Sequence, residues 1–105
     1  MKSYNIVITS PAEADLQGIA DYISNELRDI NAARNILSYI GNAILDLEQF
    51  PSRNNLVNDE RLALIGIRML VIGSYIVFYS VSEMKENVTI IRILNSRRDW
   101  LNLLQ

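Results

Sequence analysis

The chain has no cysteine and no histidine among its 105 residues. Without cysteine there is no disulfide framework, and a reducing cytoplasm is the natural setting. With both missing, only carboxylates and neutral oxygens remain as metal ligands, which excludes a zinc site; no metal and no cofactor is expected. The ordinary Ser-His-Asp and Cys-His nucleophile arrangements are excluded as well. Lysine is scarce, limited to Lys2 and Lys85, so that eight of the ten cations are arginine. No apolar run approaches the roughly 20 residues of a membrane helix. The opening MKSYNIVITSP holds too short an apolar run for a secretory leader. What remains is 50% hydrophobic and 21% charged, the composition of one ordinary globular domain over residues 1–105.

The formal net charge of −2 hides an asymmetry. Residues 1–60 carry a net −5 and residues 61–105 a net +3. The electropositive part coincides with the stretch Gly66–Trp100, around which the chain is organised. Three β-branched and aromatic runs lie there, Ile67–Ile72, Tyr75–Val81 and Val88–Leu94, separated by Gly73-Ser74 and by the polar segment Ser82–Asn87. Such runs between turn formers predict strands. Gly73 suits the first position of a type II′ turn, where φ is positive. The stretch reads as a three-stranded antiparallel meander ending in Arg97-Arg98.

Ahead of it, Tyr4, Ile6 and Ile8 alternate with polar residues and predict a short strand with one apolar face, Val7 implying partial cover on the other. Ser10-Pro11-Ala12-Glu13 has the form of a capping box with Ser10 as N-cap. The helix it opens places Ala12, Leu16, Ile19, Ala20, Ile23 and Leu27 on one face. A second helix, with Asn31 as its expected N-cap, carries Ala33, Leu37, Ile40, Ile44 and Leu47 and runs until Pro51 stops it. Gly41 inside it costs about 1 kcal/mol relative to alanine. The short link predicts an antiparallel helical hairpin. Residues 52–65 read as a loop anchored by Leu62, Leu64 and Ile65, and Asp99–Leu104 as a terminal helical turn packing Trp100 and Leu104. The predicted fold is therefore α+β: strand, helical hairpin, meander and C-terminal turn, with the hairpin on one face of the sheet. Yet Ile76 and Phe78 oppose Val77 and Tyr79, and Ile91 and Ile93 oppose Val88 and Ile90. A sheet with one face in water alternates more cleanly; either the C-terminal segment or a partner covers the second face.

Catalytic chemistry would have to come from Arg, Tyr, Asp and Glu. Tyr75 and Tyr79 share a strand face and read as core. Arg68 and Arg92 lie within apolar strands, where an arginine either packs its stem at an edge or meets an anionic partner. Arg97-Arg98, beside a strand end, is the strongest candidate for a phosphate or carboxylate contact. Arg68, Arg92, Arg97 and Arg98 are thus the candidate anion-binding or target-binding residues. The anionic partner would be a nucleic acid or an acidic peptide, the bland alternative being a mixed solvated surface.

Several stretches, in their order and spacing, carry a resemblance across the whole chain. They are Ser10-Pro11-Ala12-Glu13-Ala14-Asp15-Leu16, Ala20-Asp21-Tyr22-Ile23, Phe50-Pro51-Ser52-Arg53 and Gly66-Ile67-Arg68. Later come Val71–Tyr79 and Ile91-Arg92-Ile93-Leu94-Asn95-Ser96-Arg97-Arg98-Asp99. From Tyr4 to Leu104 the sequence resembles the RelE/ParE superfamily of type II toxin–antitoxin toxins. The resemblance implies a small toxin in a hetero-oligomer with an antitoxin whose extended segment wraps it, with Ile76, Phe78, Arg97, Arg98 and Trp100 as expected antitoxin contacts. RelE-like members cut mRNA on the ribosome, and ParE-like members poison DNA gyrase. Nuclease members often carry Arg where this chain has Ile76, and many members carry His where it has Asn95; the lysine bases of some nuclease members have no counterpart. RNA cleavage needs proton transfer and charge stabilisation, for which Arg68, Tyr79, Arg97 and Arg98 are what is left. The resemblance is closer to ParE-like members and implies gyrase as target, no membrane partner and no catalytic activity of its own. The alternatives are a ribosome-dependent endoribonuclease and an inactive peptide-binding remnant.

Overall fold

A computed structural model describes residues 3–104; Lys2, counted among the cations above, lies outside the described residues. Strand β1 (Asn5–Ile8) leads into helix α1 (Ser10–Asp21), which continues as a π-helical turn (Tyr22–Glu26), and α2 (Ile30–Leu45) follows. After a short helix α3 (Glu60–Leu64) come β2 (Arg68–Ile72), β3 (Tyr75–Ser82), β4 (Asn87–Asn95) and α4 (Trp100–Leu103). The sheet order is β1-β4-β3-β2. The meander lies within a residue or two of the expected limits. Gly73 has φ 58 between the paired Ile72 and Tyr75, as the two-residue turn requires. β1 joins the far edge of the meander and runs parallel to β4, so the sheet is mixed. A parallel partner needs a long crossover, and the helical hairpin supplies it.

The helix starts depart from expectation. Thr9, not Ser10, caps α1: its hydroxyl accepts from the Ala12 N–H at 3.3 Å and donates to the Ile90 and Ile91 carbonyls at 2.8 and 3.0 Å. One hydroxyl thereby closes the helix and the free edge of β4 together, which Ser10 is not placed to do. Asp29, not Asn31, caps α2, accepting from the Ala32 N–H at 2.9 Å. Arg28 beside it takes φ 52 to end the π-helical turn, which leaves Leu27 60% exposed rather than in the core stripe. α2 ends at Leu45, earlier than expected. A 3-10 turn (Asp46–Glu48) buries Leu47, and Phe50 enters Pro51 with φ 53, a left-handed conformation unfavourable for an aromatic residue. A Cβ on Gly41 would meet nothing within 4 Å, and nothing in the structure explains that glycine. Among the described residues no helix is long and apolar enough to cross a membrane.

The apolar residues form two clusters, one on each face of the sheet. Under the helices lie Ala12, Ile40, Ile44 and Leu47 against Val77, Tyr79, Val88, Ile90 and Ile93. On the other face Val57, Leu62, Ile67, Ile76, Phe78 and Leu94 pack together, with Trp100, Leu103 and Leu104 lying against them. The C-terminal helix and the segment before β2 are thus the cover for the second face. Within that segment Leu62 is buried, while Leu64 and Ile65 are exposed, so only the first is an anchor. The register of β4 also differs from simple alternation. Phe78 pairs with Arg92 and Tyr79 with Ile90, leaving Ile91 as the extra residue of a β-bulge. The bulge reverses parity, which is why Ile93 joins Val88 and Ile90 under the helices instead of opposing them.

Candidate functional site

β1 stops at Ile8, so β4 beyond Ile90 has no strand on that side, and α1 takes over its edge. Asp15, one turn into α1, accepts from the Ile93 N–H at 2.9 Å and holds Arg92 through Nε at 2.7 Å and Nη2 at 2.9 Å. The fork raises the Arg92 guanidinium further above its already high value by hydrogen bonding to the carboxylate. Arg92 is thereby held in a fork that braces β4 against α1, with its side chain 22% exposed. The sequence offered no sign of this, since a carboxylate on a helix face ordinarily reads as solvated.

Arg68 is half-buried and turns inward as well. Its Nη1 donates to the Asn54 carbonyl at 2.7 Å and the Ser52 carbonyl at 3.2 Å. It pairs across the ladder with Tyr79, which is fully buried. The Tyr79 hydroxyl donates to the Pro51 carbonyl at 2.6 Å and accepts from Asn54 Nδ2 at 3.0 Å. Burial pushes its pKa above 10.0, partly offset by the Asn54 donor and the charges of Arg68 and Arg53. This network ties the loop after α2 to the sheet. Tyr79→Phe should leave the buried Pro51 carbonyl and the part-buried Asn54 amide without this partner and lower stability by about 1–3 kcal/mol, read from the midpoint of urea unfolding. The Tyr4, Tyr75 and Tyr79 pKa values are all raised. A group raised in the folded state contributes stability that is whole below its unfolded value and is lost as pH climbs through the folded one. Stability should therefore decline above about pH 10, less steeply in Tyr79→Phe.

Arg97 and Arg98 are exposed at the other end of the hairpin. Asn95 pairs with Tyr75, the Asn95 side chain accepts from the Arg97 N–H at 2.9 Å, and the Ser96 N–H donates to the Ser74 carbonyl at 2.8 Å. Arg98 borders a cleft of about 450 Å³ between α1 and the ends of β3 and β4, together with Asp15, Gly18, Tyr22, Tyr75 and Asn95. Burial and the nearby Tyr22 raise the Tyr75 hydroxyl. Tyr75 is half-buried, packing against the helix-side core as the sequence reading placed it while also lining the cleft. Four strand residues, about 13 Å at the usual rise, separate it from Tyr79. The fold consequently does not bring Arg68 and Tyr79 together with Arg97 and Arg98. Ile76 and Phe78 are 5% and 0% exposed, and the Phe78 ring stacks at 5.2 Å from Trp100; a partner reaching them must first displace α4. Among the described residues, no group of three or more carboxylates is placed to share a metal ion.

The fold is similar to that in two solved structures. One is the chromosomal ParDE toxin–antitoxin system of P. aeruginosa, with TM-score 0.73 and 21% identity over 90% of this chain and 98% of that one. The other is the RelBE2 toxin–antitoxin complex of Mycobacterium tuberculosis, with TM-score 0.69 and 23% identity over 90% of this chain and 93% of that one. A comparison with curated protein sequences gave no match. The family model described as the ParE toxin of the type II toxin–antitoxin system, parDE, matches residues 6–100, and with nearly its whole length matched this chain belongs to the ParE toxin family.

Proposed function

We propose that this toxin stops growth by gripping and poisoning a protein target, DNA gyrase, and that a cognate antitoxin neutralises it in a hetero-oligomeric complex. The observation that carries this reading is the separation of the candidate catalytic groups. Arg68 and Tyr79 are spent on the loop after α2, at the opposite end of the hairpin from the exposed Arg97 and Arg98. An RNA-cleaving centre needs a proton-transfer group beside its charge-stabilising cations. Arginine is a poor base, and the Tyr79 hydroxyl is buried with its pKa raised. A surface that holds a large protein needs no such convergence. Exposed cations beside an open cleft suit it, steering association while apolar contacts supply most of the affinity.

The purified chain is expected to inhibit supercoiling by gyrase and to leave ribosome-bound mRNA uncut. The double replacement Arg97→Ala/Arg98→Ala should lower inhibitory potency about tenfold and flatten its salt dependence. Codon-linked cuts in ribosome-bound mRNA, lost on Arg97→Ala or Tyr79→Phe, would overturn the gyrase reading and leave the family intact. Normal growth of bacteria containing soluble, folded chain would sink the toxin reading itself and favour an inactive peptide-binding remnant.

A further inference from the structure

The cleft between α1 and the ends of β3 and β4 has a wall without a side chain. α1 presents Gly18 to it, and a Cβ there would meet nothing within 4 Å. Glycine weakens a helix interior, and here it leaves the cleft open. Four residues on, α1 passes into its π-helical turn at Tyr22, a departure frequent at functional sites. Tyr22 is 56% exposed, while Tyr75 on the facing strand is anchored against the core. The two lie near enough that Tyr22 helps raise the Tyr75 hydroxyl, yet their rings do not pack on each other. Two aromatic surfaces thus line one cleft. Its volume of about 450 Å³ falls within the roughly 300–1,000 Å³ usual for small-molecule sites.

The uncommitted polar groups beside them include strong donors. Asn95 accepts from the Arg97 N–H through Oδ1, and its Nδ2 has no partner among the described residues. The Arg98 guanidinium likewise forms no ion pair among the described residues. Asp15 is the one carboxylate lining the cleft, and its charge is already met by the Arg92 fork and the Ile93 N–H. Aromatic side chains suit a nucleobase, because every base has a face that stacks on them. A guanidinium beside an amide suits a phosphate. We propose that this cleft binds a mononucleotide, with its base against Tyr22 and Tyr75 and its phosphate on Arg98 and Asn95. A nucleic-acid strand fits less well. Strand-binding grooves track the backbone with a run of positive charge, and Arg98 is the one cation among the described residues lining this cleft. The inference goes beyond the proposed target and does not depend on it.

The probe is adenosine 5′-monophosphate, titrated into the purified full chain and followed by calorimetry and by amide NMR shifts. Saturable binding with a Kd below about 1 mM is expected, with the amides of Gly18, Tyr22 and Asn95 shifting. Adenosine lacks the phosphate and inorganic phosphate lacks the ring; each should bind at least about tenfold more weakly. Gly18→Leu fills the cleft from a helical position with room for the side chain. It should keep or raise the urea midpoint and weaken binding at least about tenfold. Arg98→Ala should weaken the nucleotide about tenfold and leave adenosine unchanged, whereas Tyr22→Ala should weaken both. Lys85→Ala removes the same charge at the opposite end of the β3–β4 pair and should change nothing. Absence of saturable binding, shifts centred elsewhere, phosphate alone binding equally well, or indifference to Gly18→Leu and Arg98→Ala would each overturn the proposal. A 5′-phosphorylated oligonucleotide binding more than about tenfold tighter than the mononucleotide would also overturn it, in favour of a strand. Gyrase enters none of these titrations, so failure of the gyrase reading and failure of this site are told apart.

Discussion

Replacing Asp15 with alanine should destabilise the chain by about 2–3 kcal/mol, because this part-buried ion pair lies between the cost of an exposed pair and that of a buried one. Three donors converge on this carboxylate: Arg92 Nε, Arg92 Nη2 and the Ile93 N–H. The Asp15 side chain is 10% exposed and that of Arg92 22%, so water replaces the lost partner only in part. The alanine variant would leave a guanidinium uncompensated and a strand-edge amide unpaired. Asp15→Asn retains one acceptor oxygen and should lose roughly half as much. The decisive control is Asp15→Ala/Arg92→Met, because exchanging a whole buried pair for apolar side chains is often near neutral. The double variant should regain most of the stability lost by Asp15→Ala. Urea unfolding of the parent, Asp15→Ala, Arg92→Met and the double variant closes the cycle. A single-variant loss below about 0.5 kcal/mol would mean the pair is no more than a surface contact.

What local sequence decides was legible, and what distant contacts decide was not. The three late strands follow from short β-branched runs and from a glycine whose positive φ makes the hairpin turn. Ser10, followed by Pro11 and Glu13, has the stronger local claim to cap α1. The choice falls to Thr9 because the carbonyls of Ile90 and Ile91 lie beside it, more than 80 residues away in sequence. The Asp15–Arg92 fork spans a similar distance, so a residue that reads as a solvated helix carboxylate becomes the brace of the sheet edge. The bulge at Ile91 alters no composition, yet it moves Ile93 across the sheet and makes two parities look apolar at once. In the candidate site, Tyr79 as core and Arg97-Arg98 as exposed cations could be read from residue type and position. The loop carbonyls that absorb Arg68 depend on where a turn-rich segment comes to rest.

The second apolar face provides the other large expected effect. Phe78 is 0% exposed and sits between Ile76, Leu94 and the ring of Trp100. Truncating a fully buried phenylalanine removes its transfer energy and leaves a cavity, so Phe78→Ala should cost about 3–5 kcal/mol, comparable to the whole stability of a marginal domain. Trp100 is only half-buried, and Trp100→Ala should cost less, about 2 kcal/mol, while uncovering Phe78. The two losses should not add. Tilted aromatic rings at this spacing couple by about 1 kcal/mol beyond area, and each truncation removes the surface against which the other packs. The cycle therefore measures how firmly α4 is held down. Strong coupling would mean that a partner reaching Ile76 and Phe78 must displace a bound helix and lose that energy from its own affinity. Coupling near zero, with Trp100→Ala as stable as the parent, would mean that α4 rests loosely and the face beneath it is open to a partner without that cost.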